Sequence, residues 1–406
     1  MDATGGQAAT VEFDHVSKVY GASAAKANRA VELGAVNDLS LAIPAGRICV
    51  LVGPSGCGKT TSLKMVNRLI EPTSGRILLG GVDAAGRDLT ELRRGIGYVI
   101  QQTGLFPHET ILDNVGTVPR LLGWPAARIR ARSEELLALV GLEPARYARR
   151  FPSQLSGGER QRVGVARALG ADPPIMLMDE PFGAVDPIVR ERLQDELPRL
   201  QEELAKTILF VTHDIDEAIK MGDLVAVFQQ GGKVAQFGTP AELLATPASD
   251  FVARFVGADR GLKRLSLSRV RDLDIRPAVT GRIGEPAIEA RRRSAADPFP
   301  YLLLVDADDR PVGWLPDKDI PTDGLLAEAM AVPMSPILAL QMTLKDALSM
   351  MLDANVQAGI AVDRAGRVLG LVTTDLIATF LRDSGPLGGT DPASPPPADP
   401  APAAGR

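Results

Sequence analysis

Apolar and polar residues alternate through VEFDHVSKVY, from Val11 to Tyr20, a pattern that reads as a strand buried on one face. AVNDLSLAIPAGRICVLVG holds two more strands, divided at Pro44–Gly46, where proline and glycine interrupt the run. After a Gly-rich loop the period lengthens, with Leu63, Val66, Leu69 and Ile70 at helical spacing. From about residue 105 to 160 the pattern is mostly helical, and ARIRARSEELLALVGL ends at a glycine, a helix-stop signal. PIMLMDEP and KTILFVTHD are short unbroken apolar runs. Such runs suit strands buried on both faces, as in a parallel sheet with helices between its strands.

Near 240 the character changes. TPAELLATPASDFVARFVG reads as a helical connector over 241–265. Beyond it, 266–383 contains two related passages, LLLVDADDRPVGWLPDKDI and IAVDRAGRVLGLVTTDLI. Each runs strand, Asp-led turn, strand, helix start, an approximate internal repeat. The segment 384–406, rich in proline and alanine, is expected to be disordered, and 1–10 reads as a flexible lead-in. A length of 406 residues fits two or more domains.

Composition narrows the classes. With 45% hydrophobic and 23% charged residues the chain is globular, and no apolar run reaches the ~18 residues of a membrane helix. No signal peptide opens it, so a cytoplasmic location is expected, docking on a membrane partner being compatible with this. A net charge of −5 leaves no electrostatic footprint for nucleic acid. Two cysteines, Cys49 and Cys57, and three histidines give no basis for a disulfide framework or a zinc centre.

The chemistry concentrates in three stretches. GPSGCGKT, Gly53 to Thr60, matches G-x-x-x-x-G-K-[ST] between a strand and a helix. Glycines let backbone N–H groups approach phosphates, and the helix N-terminus adds favourable potential. Lys59 would reach the β- and γ-phosphates and Thr60 would ligate Mg²⁺. In IMLMDE, four apolar residues deliver Asp179 to the strand's carboxyl end, where Mg²⁺ would sit, and Glu180 follows to orient and deprotonate a water. His213, after ILFVT, could similarly touch the γ-phosphate, although a lone strand-terminal histidine is usually a structural residue. In LSGGERQ, Ser156 offers a phosphate ligand and Gly157 and Gly158 allow close backbone approach at a helix start. A capped helix accounts for the serine but not for the paired glycines.

In this order the motifs resemble the ATPase subunit of ABC transporters, over about residues 11–240. The resemblance implies an α/β fold: a P-loop NTPase core with a RecA-like parallel sheet, an antiparallel β subdomain and a helical signature subdomain. It implies ATP held by Gly53, Ser55, Gly56, Gly58, Lys59, Thr60 and Thr61, with Tyr20 either stacking on adenine or merely packing. Mg²⁺ would fall to Thr60, Asp179 and Gln101, although Gln102 leaves that last assignment ambiguous by one position. Glu180, His213 and Gln101 would be catalytic, in an active ATPase. Ser156, Gly158 and Asp186 would serve ATP on a second copy, in a head-to-tail dimer. In GAVD, Gly183 stands where the family commonly has serine, so a hydroxyl contact across the dimer is missing.

GLFPHETILDNV resembles the importer form of the surface that receives a permease's coupling helix. SDFVARFVGADRGLKRLSLSRV followed by a tandem repeat resembles ATPases of osmoprotectant uptake, which serve glycine betaine, proline betaine, choline or carnitine. The implied partners are integral membrane permease subunits and an extracytoplasmic substrate-binding protein, with the chain on the cytoplasmic face of the cell membrane and no nucleic acid. The repeat resembles an α+β tandem CBS module, with GLVTTD (Gly370 to Asp375) similar to a turn that holds adenosine ribose. Pro316 occupies the matching place in the first copy, where a hydroxyl would help. Sensing of ionic strength or adenine nucleotide, and dimerisation alone, both stay open. Arg291–Arg292–Arg293 admits a lipid-facing sensor or a solvated loop. An importer of another small solute, such as an amino acid, and a soluble regulatory ABC protein are the competing functions. The latter generally fuses two ATPase cores or carries long coiled coils, which this chain lacks.

Overall fold

A computed structural model describes residues 7–20, 34–100, 104–183, 186–297, 299–332 and 336–383. The expected lead-in at 1–6, the tail at 384–406, and Gln101 with Gln102 lie outside the described residues. The chain divides into two compact units after Lys263.

In the first unit β1 (Val11–Lys18) lies between β2 (Val36–Ile43) and β4 (Ser74–Leu79), all antiparallel, with β3 (Ile48–Val52) in a second sheet. The short β5 (Val82–Asp83) closes the edge beside β4. The alternation of β1 slips between Phe13 and Val16, where the register shifts and His15 takes a φ of 52°. This bulge lets Phe13 and Val16, three apart, share the buried face.

The second sheet has the order β10-β9-β3-β8-β7-β6. Its members are β6 (Ile96–Val99), β7 (Ile175–Asp179), β8 (Thr207–Thr212), β9 (Leu224–Gln229) and β10 (Lys233–Gly238), parallel except for β10. Every residue of β3, β7 and β8 is buried, as unbroken apolar runs require. Successive side chains point to opposite faces. Cys49 and Leu51 pack toward α1 (Lys59–Val66) and the antiparallel sheet. Val50 and Val52 pack on the other side, toward α2 (Ala126–Leu139), α3 (Gly157–Leu169), α4 (Pro187–Leu204) and α5 (Ile215–Met221). Parallel alignment sends the carboxyl ends of β3, β7 and β8 to one edge, where ligands bind such sheets.

The segment expected as a connector forms helices at Pro240–Ala245 and Asp250–Val256. Leu243, Leu244, Val252 and Val256 enter the first unit's core, so most of that segment belongs to this unit.

The second unit holds two βαββ copies. The first is β11 (Thr280–Arg282), α6 (Ala287–Ser294), β12 (Tyr301–Val305) and β13 (Pro311–Pro316). The second is β14 (Ile337–Ala339), α7 (Leu344–Asp353), β15 (Ala358–Val362) and β16 (Val368–Thr373). In each, the first strand runs parallel to the second and the hairpin is antiparallel. Asp306 and Asp363 brace the two turns alike, each accepting from backbone N–H groups two and four residues on. Leu302 and Leu304 face the first copy's own core, while Leu303 and Val305 meet Ile360, Val362 and Leu371 of the second copy.

The copies differ after the hairpin. The second continues into α8 (Thr374–Asp383), whereas the first makes only a 3₁₀ turn at Asp317–Asp319. Pro321 explains the stop, since it disfavours helical backbone at Ile320. The three arginines at 291–293 are not on a loop. They fill the last turn of α6, where cations meet the helix's negative end, and Arg293 bonds Glu285.

Candidate nucleotide site

The phosphate loop is shaped by glycines that nothing else can replace. Gly53 has a φ of +155°, and an added Cβ would lie 2.4 Å from the Phe228 carbonyl. Gly58, at φ +107°, caps α1, and its Cβ would lie 2.3 Å from the carbonyl of Ala35. Ser55 and Gly56 are exposed at the loop's crest, and Thr61 is half-buried on the first turn of α1. Lys59 is 6% exposed, and its Nζ donates to the carbonyls of Gly53 (2.7 Å) and Pro54 (2.9 Å). The ammonium is thus folded back onto the loop's own carbonyls.

Thr60 Oγ1 donates to Asp179 Oδ1 at 3.0 Å, from the first turn of α1 to the end of β7. Lys64 Nζ lies 4.0 Å from the other Asp179 oxygen. Burial raises the Asp179 carboxyl above its ordinary pKa, with Glu180 adding to this, while Thr60, Lys64 and Lys59 oppose it. Lys64 was not singled out from the sequence, although its place one turn after Thr60 puts both on one helix face. Tyr98, on β6, is pushed up to about 12, by burial first and then by Asp179.

Glu180 takes a φ of 43°, a left-handed conformation that costs a side-chain-bearing residue about 1–3 kcal/mol. Its N–H donates to the Val211 carbonyl at 2.9 Å, which pins the turn to β8. That turn aims the carboxylate at His213, whose Nδ1 is 3.2 Å from Glu180 Oε1. The pair lines a pocket with Gly183, Thr212 and Asp214. Gly183 N–H donates to the Glu180 carbonyl, and Asp186 is exposed at the entry to α4. Residues 184–185, between them, lie outside the described residues, as does Gln101.

Ser156 caps α3. Its Oγ accepts from Glu159 N–H (3.3 Å), and Glu159 Oε2 accepts from Ser156 N–H (2.7 Å). Tyr147 donates to the other Glu159 oxygen at 2.6 Å, the leading cause of that carboxyl's lowered pKa. The cap uses Ser156 as acceptor, which leaves the hydroxyl hydrogen for a second partner. Ser156 is exposed and Gly158 buried. Tyr20 is 56% exposed, with the ammonium of Lys18 over its ring. Lys18 pairs with Val36, which also neighbours Gly58, so Tyr20 stands at the phosphate-loop end of β1.

The family model described as ABC transporter matches residues 36–183. The osmoprotectant import ATP-binding protein OsmV of Salmonella typhimurium is 45% identical over 350 residues, covering 86% of this chain and 91% of the relative. The chain belongs to the ABC transporter ATP-binding proteins. The glycine betaine/carnitine/choline transport ATP-binding protein OpuCA of Bacillus subtilis is 42% identical over 381 residues, 92% of this chain and 97% of the relative. The dimeric structure of MJ0796, described as a bacterial ABC transporter cassette, aligns with a TM-score of 0.50 and 34% identity over 57% of this chain and 98% of that one. The residues matched by the family model, 36–183, all lie in the first unit. Among the described residues no helix is long and apolar enough to cross a membrane.

Proposed function

We propose that this ABC cassette hydrolyses ATP to energise import of a quaternary-amine osmoprotectant, through permease subunits and an extracytoplasmic binding protein. The observation that carries the ATPase reading is the convergence of Lys59, Thr60, Asp179, Glu180 and His213 at the carboxyl ends of three adjacent parallel strands. Lys59 binds the β- and γ-phosphates, Glu180 accepts a proton from the attacking water, and His213 orients Glu180 and contacts the γ-phosphate. Ser156, Gly158 and Asp186 act on the nucleotide of a second copy, and Tyr20 stacks on its own chain's adenine. Gln101 would help hold Mg²⁺, close in sequence to the permease surface at 104–115.

The hydroxyl of Thr60 bonded to the buried carboxylate of Asp179 is a hard-oxygen pair suited to Mg²⁺. Among the described residues no cluster of three or more His, Cys, Asp or Glu side chains competes as a metal site. Mg²⁺ would supply charge neutralisation on the phosphates. Apart from that, the chain's own groups bind, orient and move the proton.

The substrate class rests on the relatives, named for osmoprotectants, glycine betaine, carnitine and choline. Cells lacking the chain are expected to lose glycine betaine uptake after osmotic upshift, regained with the wild-type chain but not with Lys59→Ala. Unchanged uptake of glycine betaine, carnitine and choline, with loss of an amino acid's uptake instead, would transfer the assignment to another importer.

The second unit is a tandem CBS-type regulatory module in this reading, supported by its two βαββ copies. Truncation after Leu267 is expected to hold basal ATP hydrolysis within about twofold while the response of transport to ionic strength or adenine nucleotide is lost. An unchanged response curve in reconstituted vesicles would leave it a dimerisation element. The peripheral position at the cytoplasmic membrane face follows from the permease.

A further inference from the structure

Glu217 had no part in the motif reading, yet it faces the hydrolytic pocket. It lies in α5, 7% exposed, lining the same pocket as Glu180, His213, Asp214 and Arg190. A carboxyl group that deep is costly unless its oxygens are used. Both are. Oε2 accepts from Thr212 Oγ1 at 2.6 Å, and Oε1 accepts from Gln194 Nε2 at 3.1 Å.

Those partners are informative. Thr212 ends β8 directly before His213, and its Oγ1 also accepts from the N–H of Asp214 at 3.0 Å. One hydroxyl therefore ties down both flanks of His213. Asp214 then caps α5 through the N–H groups of Asp216 and Glu217 itself. Gln194 sits on α4, the helix that starts immediately after Asp186. Burial raises the Glu217 carboxyl's pKa, against the pull of the Thr212 and Gln194 bonds and of Arg190.

We propose that Glu217 is a positioning residue for ATP hydrolysis, a strut fixing the His213 loop through Thr212 and bracing it through Gln194 against the helix that follows Asp186. Its effect passes through the orientation of His213 toward Glu180, so movement at the start of α4 is felt at the histidine. The inference rests on the assignment of Glu180 and His213 as the hydrolytic pair.

The test compares Glu217→Ala, Glu217→Gln, Gln194→Leu, His213→Ala and the His213→Ala/Glu217→Ala double variant in the full chain. Each is read as kcat and KM for ATP beside a thermal denaturation curve. Glu217→Ala is expected to lower kcat about 10-fold to 100-fold with KM for ATP within about threefold. Glu217→Gln should stay within about threefold of wild type, since its carbonyl still accepts from Thr212 and its amide can pair with a flipped Gln194. Gln194→Leu, which spares the Thr212 bond, should lose about fivefold in kcat. In the double variant the loss should match His213→Ala within about twofold, because residues acting as one unit are not additive.

Multiplied losses in the double variant, or a Glu217→Gln enzyme as slow as Glu217→Ala, would overturn the strut. If Glu217→Ala does not fold, Gln194→Leu alone and combined with His213→Ala gives the same decision. A wild-type kcat in His213→Ala would remove the hydrolytic pair and the strut together. Loss in His213→Ala with unaffected Glu217 and Gln194 variants would remove the strut alone.

Discussion

Replacing Glu180 by glutamine is expected to lower kcat by about 100-fold to 10,000-fold, the usual contribution of a general base. ATP binding should survive. Glu180 sits on the turn after β7, with its backbone held by Val211 and its carboxylate beside His213. The amide keeps the shape and the hydrogen bond to His213 but cannot take a proton from water. Removing a negative charge beside a triphosphate also favours the bound state. Nucleotide should therefore accumulate unhydrolysed on the protein, measured as ATP retained per chain beside steady-state phosphate release. Wild-type phosphate release from Glu180→Gln would end the assignment of Glu180 as the base.

The second large effect is expected from pairing two inactive chains. Lys59→Ala removes the ammonium and leaves the carbonyls of Gly53 and Pro54 without its bonds, and loss of charged hydrogen bonds of this kind costs about 1.5–3 kcal/mol each. Ser156→Asp is the sharper partner. Aspartate is as good a helix cap as serine, so α3 and its box with Glu159 should persist, while a carboxylate now faces the phosphate of the other copy. Either homodimer should be inactive. A mixed dimer has one site carrying both defects and one carrying neither. Random pairing makes about half of the dimers mixed, so activity up to about a quarter of wild type should return on mixing. No recovery at any ratio, with both variants folded, would show that Ser156 does not serve a partner's nucleotide. Full activity in the Ser156→Asp homodimer would reduce Ser156 to a helix cap.

Much of this site could be read before any coordinates, and the reason is geometric. A strand buried on both faces appears in sequence as an unbroken apolar run, and in a parallel sheet the residues that follow the run stand at the ligand edge. Thus ICVLV, IMLMD and TILFVT announced Gly53, Asp179 with Glu180, and His213 without any contact being known. Local backbone chemistry was legible for the same reason. Gly53 and Gly58 adopt conformations that a Cβ would block, and Ser156 with Glu159 forms a capping box within four residues.

What escaped was nonlocal. The helices at 240–256 have the spacing of a surface connector, and only the fold shows that Leu243, Leu244, Val252 and Val256 complete the first unit's core. In β1 the bulge at His15 replaces the simple alternation of VEFDHV with a three-residue step. Glu217 looks like any helical glutamate, and its burial is tolerable because Gln194, 23 positions earlier, reaches its second oxygen. Pro321 could have signalled that the first repeat copy lacks the helix that follows the second, but the similarity of the two hairpins pointed the other way.

The composite site itself is open to one direct measurement: the mass of Glu180→Gln by sedimentation in ATP with Mg²⁺, beside ADP with Mg²⁺ and beside Glu180→Gln carrying Ser156→Asp. Expected is a doubling of mass in ATP relative to ADP, absent when Ser156→Asp is present. A mass that is the same in ATP and ADP, with ATP demonstrably bound, would mean that a second copy does not complete the site.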